Sequence, residues 1–409
     1  MRDGELFVEG VALSRISAEY GTPCFVYSRA ALEEAYRSYA RAFGSRSHLI
    51  CYAMKANSNL AIINLFARMG SGFDIVSGGE LARVIAAGGD PAKTVFSGVG
   101  KSRDDICMAL NAGVLCFNVE SEGELDRLNE VARELGRKAA VSLRVNPDVD
   151  AKTHRYISTG SKENKFGIAF ADAVRFYRKA QALGNLQIVG IDCHIGSQLT
   201  ELAPFLDTFG KVLNLVDTLA TEGIGLAHLD FGGGLGIRYR EETPPDPDVY
   251  VKAVLEKIGN RPHKILLEPG RSLVGNAGLL LTRGEYIKMG EARNFIVVDA
   301  AMNDLIRPAL YDAYHEVRQV TLSDAAYARY DVVGPVCETG DFLALDRDLQ
   351  VKQDDLLAVM SAGAYGMSMS SNYNSRPRAA EVMVDGNRAQ LIRERERMEQ
   401  LFAGERRLF

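Results

Sequence analysis

The segment Cys51-Tyr52-Ala53-Met54-Lys55-Ala56-Asn57-Ser58 sets a lysine at the end of a short apolar run, followed at once by small and polar residues. Such a lysine would leave a strand end pointing into a cavity. In a partly apolar pocket an amine can lose its proton near neutral pH and attack a carbonyl, which is Schiff-base chemistry. A lone lysine near a strand end is more often solvated than reactive, so the weight falls on the motifs further along the chain. Asp230-Phe231-Gly232-Gly233-Gly234-Leu235-Gly236 carries three consecutive glycines. They let the backbone approach an anion and present amides to it, whereas a tight turn would need only one glycine. The run lacks the Gly-x-Gly-x-x-Gly spacing of a dinucleotide fold and the Lys-Ser/Thr of a P-loop. Glu268-Pro269-Gly270-Arg271-Ser272 offers a carboxylate able to keep a ring nitrogen protonated and an arginine able to pair with a carboxylate or phosphate. A structural Glu–Arg salt bridge is equally open. Cys193-His194-Ile195-Gly196-Ser197-Gln198 supplies a histidine that can lie flat on an aromatic ring and a hydroxyl that can bond a phosphate oxygen. With no second metal-type ligand beside His194, no metal site is expected.

Elements must bring these groups together. Between about residues 48 and 270 apolar runs of strand length alternate with helical segments. The candidate strands are 48–54, 73–76, 94–97, 114–119, 139–145, 187–194, 226–231 and 263–268. They are rich in Val, Ile, Leu and Phe on consecutive positions, as in a parallel sheet covered on both faces. Leu125, Leu128, Ala132 and Leu135 form one helical stripe between them; Phe205, Phe209, Val212, Val216 and Leu219 form another. Eight strand–helix repeats predict an α/β fold, a (β/α)8 TIM-like barrel, with a doubly wound open sheet as the alternative. Polar residues and glycines gather just after each strand: Lys55, Asp74, Ser97, Asn118, Arg144, His194, Gly232–Gly234 and Glu268. In a parallel barrel they would share one mouth. Beyond residue 275 short apolar runs are broken by Gly, Pro, Asn and Asp, which predicts a second, mainly β domain. The division expected is 26–275 for the barrel and 1–25 plus 276–409 for the β domain. The charged stretch from Leu391 to Leu401 reads as a solvated helix.

Composition narrows the function classes. The chain has 409 residues, 47% hydrophobic and 25% charged, with a formal net charge of −5. That is an ordinary globular composition without the basic footprint of a nucleic-acid binder. A polar start argues against a signal peptide, and no apolar stretch is long enough to span a bilayer. The six cysteines are scattered, which fits a reducing, cytoplasmic location. Five read as small core residues, and Cys337 stands apart.

The motifs, in this order, resemble the fold-type III pyridoxal-phosphate-dependent decarboxylases. The resemblance runs from Val26-Tyr27 to Ser375-Arg376-Pro377 and adds Ile306-Arg307-Pro308-Ala309-Leu310-Tyr311, Gly334-Pro335-Val336-Cys337-Glu338 and Ala362-Gly363-Ala364-Tyr365-Gly366 to the segments above. It implies an alanine-racemase-like architecture, a barrel that binds pyridoxal 5'-phosphate with a β domain completing the site. Lys55 would carry the cofactor, His194 would stack on its ring and Glu268 would face the pyridine nitrogen. Asp74, Ser197, Gly233, Gly234, Gly270 and Arg271 would complete the cofactor site, with Tyr365 touching both cofactor and substrate. Cys337 matches the proton donor. The implied reaction is decarboxylation of meso-2,6-diaminopimelate to L-lysine, the last step of lysine biosynthesis. Arg271, Arg307 and Tyr311 would then meet the distal carboxylate and Glu338 the distal ammonium. Paired arginines without a carboxylate partner would make lysine and ornithine poor substrates. A decarboxylase of ornithine, arginine or D-diamino acids, or a non-catalytic regulatory relative, stays open. The resemblance also implies a homodimer with shared active sites, in which Cys337 and Glu338 complete the partner's site.

Overall fold

The computed structural model describes residues 1–149 and 165–408, and the chain divides into two units. The first comprises Ala35–Ile237 and Thr243–Ser272. Its strands are β1 (His48–Ala53), β2 (Gly72–Ile75), β3 (Thr94–Phe96), β4 (Cys116–Val119), β5 (Ala139–Asn146), β6 (Leu186–Asp192), β7 (His228–Asp230) and β8 (Lys264–Leu267). Each pairs in parallel with the next, β8 pairs with β1 and β5 with β6, so the sheet closes into an eight-stranded barrel. All eight strands read from the sequence are present, with ends that differ from the expected bounds by no more than two residues.

The barrel's local grammar is simple. Turns after the strands end on side chains that cap the next helix: Asn59 accepts from the Ala61 amide, Ser77 from Glu80, Ser102 from Asp105 and Ser121 from Glu124. Such a cap stabilises by about 1 kcal/mol, so four of them fix where helices begin. The stripe Leu125, Leu128 and Ala132 is buried on the helix Glu122–Glu134. Phe209, on the helix Ala203–Thr221, is buried against Phe231 with ring centroids 4.5 Å apart.

Inside the barrel the period-two alternation of strands sets everything. Leu49 and Cys51 of β1, Val95 of β3, Cys116 of β4 and Leu266 of β8 form one buried apolar cluster. Gly190 of β6 belongs to this level, since a Cβ there would lie 2.1 Å from His228 Nε2 of β7. Two residues further along each strand the chemistry turns polar: Asp74, Ser97, Asn118, Arg144, Asp192, Asp230 and Glu268. On β1 the same register leads through Ala53 to Lys55.

The second unit comprises Met1–Glu34, Arg238–Glu242 and Leu273–Phe409. It is built on a nine-stranded sheet centred on the long strand Gly278–Lys288. Cys24–Ser28 pairs with that strand on one side and with Ala380–Asp385 on the other. The boundary drawn at residue 26 from the sequence therefore falls inside a strand of this unit. Its core packs Ile16, Val26, Leu281, Val320, Ala358 and Val382 together. The solvated helix expected over Leu391–Leu401 is absent. Arg388–Arg393 is instead a strand antiparallel to Ala380–Asp385, with Leu391 opposite Val382, and only a 3-10 turn, Met398–Phe402, comes after it. Ala389 packs on the β core, so a two-residue alternation overrode the three-to-four spacing of Leu391, Met398 and Leu401. Four cysteines are buried; Cys107 is only half-buried, and Cys337 is exposed.

Candidate active site

Lys55 sits in a single 3-10 turn, Met54–Ala56, directly after β1. Its Nζ donates to Asp74 Oδ2 at 2.7 Å; the Asp74 side chain is fully buried while the lysine's is 40% exposed. One end of this ion pair is anchored in the barrel and the other reaches its mouth. The turn is held by Tyr52, whose hydroxyl donates to the Asn57 carbonyl at 2.7 Å. Gly270 lies against the same turn, for a Cβ there would be 3.0 Å from the Ala53 carbonyl oxygen.

Across the barrel, Asp192, Asp230 and Glu268 each bring a carboxylate oxygen within 4.8 Å of the others. Burial raises all three, and neighbouring carboxylates add to it: Glu268 and Asp230 are pushed well above the usual carboxylate range, with Asp192 among the charges on each, and Asp192 is raised to about 7, against Arg144 and with Glu120 and Asp74 adding to the rise. Asp192 Oδ1 and Asp230 Oδ2 have no hydrogen-bond partner among the described residues. A proton held within the cluster supplies the donor those oxygens lack. Asn118 Nδ2 donates to Glu268 Oε1 at 3.3 Å and to Ser97 Oγ at 3.1 Å, which orients the glutamate. Arg144 donates to Glu120 at 3.2 Å and stands 3.9 Å from Asp192.

His194 is held by the glycine run. The Gly233 amide donates to His194 Nδ1 at 3.2 Å, so that nitrogen carries no proton and the ring is neutral. Burial, then the charges of Arg144 and Lys55, drives its pKa well below the usual imidazole value. The glycines answer to packing as well as to any anion. A Cβ on Gly233 would lie 2.2 Å from the Glu268 carbonyl oxygen, and one on Gly234, at φ +107, 2.5 Å from that of Gly196. Ser197 Oγ accepts from Arg271 Nη2 at 2.9 Å, a buried cation beside a hydroxyl. Lysine, buried acid and Ser197–Arg271 pair thus match the three needs of pyridoxal phosphate: an amine, a proton partner for the ring nitrogen and an anion holder.

The second unit places the remaining sequence-derived residues. Arg307, buried, opens the short helix Arg307–Tyr311. Its guanidinium lies 4.6 Å from the Tyr239 ring centroid and donates to His315 Nε2 at 2.8 Å. Cys337 and Glu338 are exposed. The Cys337 amide donates to Asn374 Oδ1 at 2.9 Å, and Tyr373 Oη donates to Glu338 at 2.7 Å. Asp341 staples the base of this loop by accepting from Val336 at 2.7 Å and Met302 at 2.6 Å. Tyr365 is held at φ +56, in the left-handed region. Sequence reading missed Asp192, Asp230, His315 and the Tyr373–Asn374 brace. The first two were detectable as inward-register polar residues at strand ends; the others make contacts only the tertiary fold creates.

The family model for the pyridoxal binding domain of pyridoxal-dependent decarboxylases matches residues 29–275. The chain is 63% identical over 404 residues to the diaminopimelate decarboxylase of Pseudomonas aeruginosa, covering 99% of this chain and 97% of that one. The chain belongs to the diaminopimelate decarboxylase family. The Neisseria meningitidis diaminopimelate decarboxylase is 62% identical over 400 residues, 98% of each chain. Among solved structures, diaminopimelate decarboxylase from Helicobacter pylori complexed with L-lysine superposes with a TM-score of 0.93 at 42% identity, covering 96% of this chain and 98% of that one. The enzyme from M. jannaschii in co-complex with L-lysine reaches 0.95 at 38% identity, covering 100% and 97%. This family membership agrees with the closed barrel and mainly β second unit.

Proposed function

We propose that the chain releases carbon dioxide from meso-2,6-diaminopimelate to give L-lysine, using pyridoxal 5'-phosphate held at Lys55. The observation that carries the reading is the convergence, at the carboxyl ends of the barrel strands, of Lys55 on Asp74, the buried acid Glu268 and the Ser197–Arg271 pair. The relatives' name and their lysine complexes support the substrate and product. When bound, pyridoxal phosphate supplies a ring that withdraws electrons from the substrate's α-carbon. The chain's own residues do the rest. Asp74 keeps a carboxylate beside the Lys55 amine as it gains or loses a proton. Glu268, close to Asp230, would hold a proton at the ring nitrogen, while Arg271 and Ser197 would hold the phosphate. Neutral His194 would offer a flat face to the ring without adding positive charge there. The carbon–carbon bond to the carboxylate breaks, its electron pair stays with the α-carbon, and the Cys337 thiol returns a proton to that atom. Arg307 and Tyr311 hold the distal carboxylate, and Glu338 the distal ammonium. We place the protein in the cytoplasm as a homodimer with shared sites; no helix among the described residues is long and apolar enough to cross a membrane.

Borohydride reduction of the purified yellow protein, followed by peptide mapping, is expected to find the cofactor on Lys55. Label on another lysine would overturn the cofactor site. Carbon dioxide release measured in parallel from diaminopimelate, lysine, ornithine and arginine is expected for the first alone. Faster turnover of any of the others would overturn the substrate.

A further inference from the structure

Two of the groups that steer Arg307 carry no negative charge. One is the face of Tyr239, 4.6 Å from the guanidinium carbon to the ring centroid. The other is His315, 0% exposed, whose Nε2 lies 2.8 Å from Arg307 Nη1. An arginine can only donate, so Nε2 must be the acceptor. The opposite nitrogen, Nδ1, lies 2.8 Å from the Met360 carbonyl oxygen, which can only accept, so Nδ1 must carry the hydrogen. Two one-way contacts therefore lock the imidazole as the neutral Nδ1–H form. The Tyr239 ring meets His315 edge-on at 5.4 Å and closes the triangle. A carboxylate in the place of His315 would aim the guanidinium equally well but cancel its charge. A neutral acceptor aims it without that cancellation.

We propose that His315 is a positioning residue for substrate selection, fixing the plane of Arg307 from behind so that its charge meets the substrate's distal carboxylate. This rests on the reading of Arg307 as the ligand of that carboxylate. His315 touches neither the reacting carbon nor the cofactor in this role, so its loss acts on the recognition of one substrate group and not on the chemical step.

The holoenzyme variants His315→Asn and His315→Gln separate the two contacts. Asparagine can still donate to the Met360 carbonyl but offers nothing to Arg307, whereas glutamine reaches an oxygen to where Nε2 stood. His315→Leu fills the space without an acceptor and is expected to behave as the asparagine variant does. We expect His315→Asn to raise KM for diaminopimelate about tenfold, with kcat within about threefold of wild type. Binding of L-lysine, which has no distal carboxylate, should stay within about threefold, and His315→Gln should recover most of the loss in KM. Wild-type KM in both acceptor-free variants would overturn the proposal. So would equal weakening of diaminopimelate and lysine, the mark of a merely structural histidine. Arg307→Ala is the control: if it leaves KM for diaminopimelate unchanged, the reading of Arg307 fails and the proposal with it. A raised KM in Arg307→Ala beside an unchanged one in His315→Asn would sink the role of His315 alone.

Discussion

Single residues in this protein work through the charge state their neighbours allow. His194 and His315 are both neutral, the first because the Gly233 amide donates to it, the second because Arg307 does. Glu268 is the opposite case, an acid that burial and then the carboxylates of Asp230, Asp74 and Asp192 push toward its protonated form. Such a group suits a ring nitrogen that needs a proton beside it. In the proposed function, Arg307 is the residue on which selection of a diacid turns. Removing a charge-assisted hydrogen bond at a buried site costs about 1.5–3 kcal/mol. Arg307→Ala is therefore expected to lower kcat/KM on diaminopimelate by about tenfold to a hundredfold, read from steady-state carbon dioxide release. A wild-type kcat/KM would remove Arg307 from the substrate site.

The elements place these groups by register. Moving two residues along any barrel strand changes level without changing face, so the apolar level of Cys51, Val95, Cys116 and Leu266 dictates the polar level above it. The glycine run shows how little room the turns leave. Gly233→Ala would press a methyl against the Glu268 carbonyl, a backbone atom that cannot swing aside. Forced into that contact, the β7 turn should shift, costing about 1–3 kcal/mol and loosening the His194 ring that the Gly233 amide holds. The expected result is a lower Tm and reduced cofactor absorbance at saturating pyridoxal phosphate. Gly123→Ala, on a helix with nothing within 4 Å of the added carbon, should leave both unchanged or raise Tm slightly. Equal effects from the two substitutions would show that Gly233 is not sterically required. Much of this architecture is legible in the sequence. Buried parallel strands are continuous apolar runs, and the polar residue that ends each run marks the mouth, so the eight strands and Lys55, Asp74, Asn118, Arg144 and Glu268 could be read directly. Asp192 and Asp230 escaped because each sits inside a run next to a louder motif, Cys193-His194 and the glycines. The strand Arg388–Arg393 escaped because pairing with Ala380–Asp385, not its own charge pattern, decides its form. His315 was invisible because its partners, Arg307 and Met360, stand 8 and 45 positions away.

For the whole molecule the question is which residues act together. Cys337 and Glu338 are exposed on the chain taken singly, yet their loop is braced by Asp341, Tyr373 and Asn374 as a functional loop would be. A thiol and a carboxylate so carefully held at a surface suit a site completed by a second copy of the chain. Mixing two inactive forms tests this. Lys55→Ala removes the amine, and Cys337→Ala removes the proposed proton donor. In a dimer with shared sites, a mixed pair has one site carrying both changes and one carrying neither. Random reassortment makes half of the dimers mixed, so about a quarter of wild-type activity should return. The recovery should track the rate of subunit exchange, and dilution below the dimer's dissociation constant should abolish it. If each chain supplied its own Cys337, every site in every dimer would keep one defect, and activity would stay at the level of the separate variants. Unchanged activity after exchange has been verified, for instance by mass spectrometry of the mixed dimer, would therefore exclude the shared site while leaving the assignment of Lys55 intact.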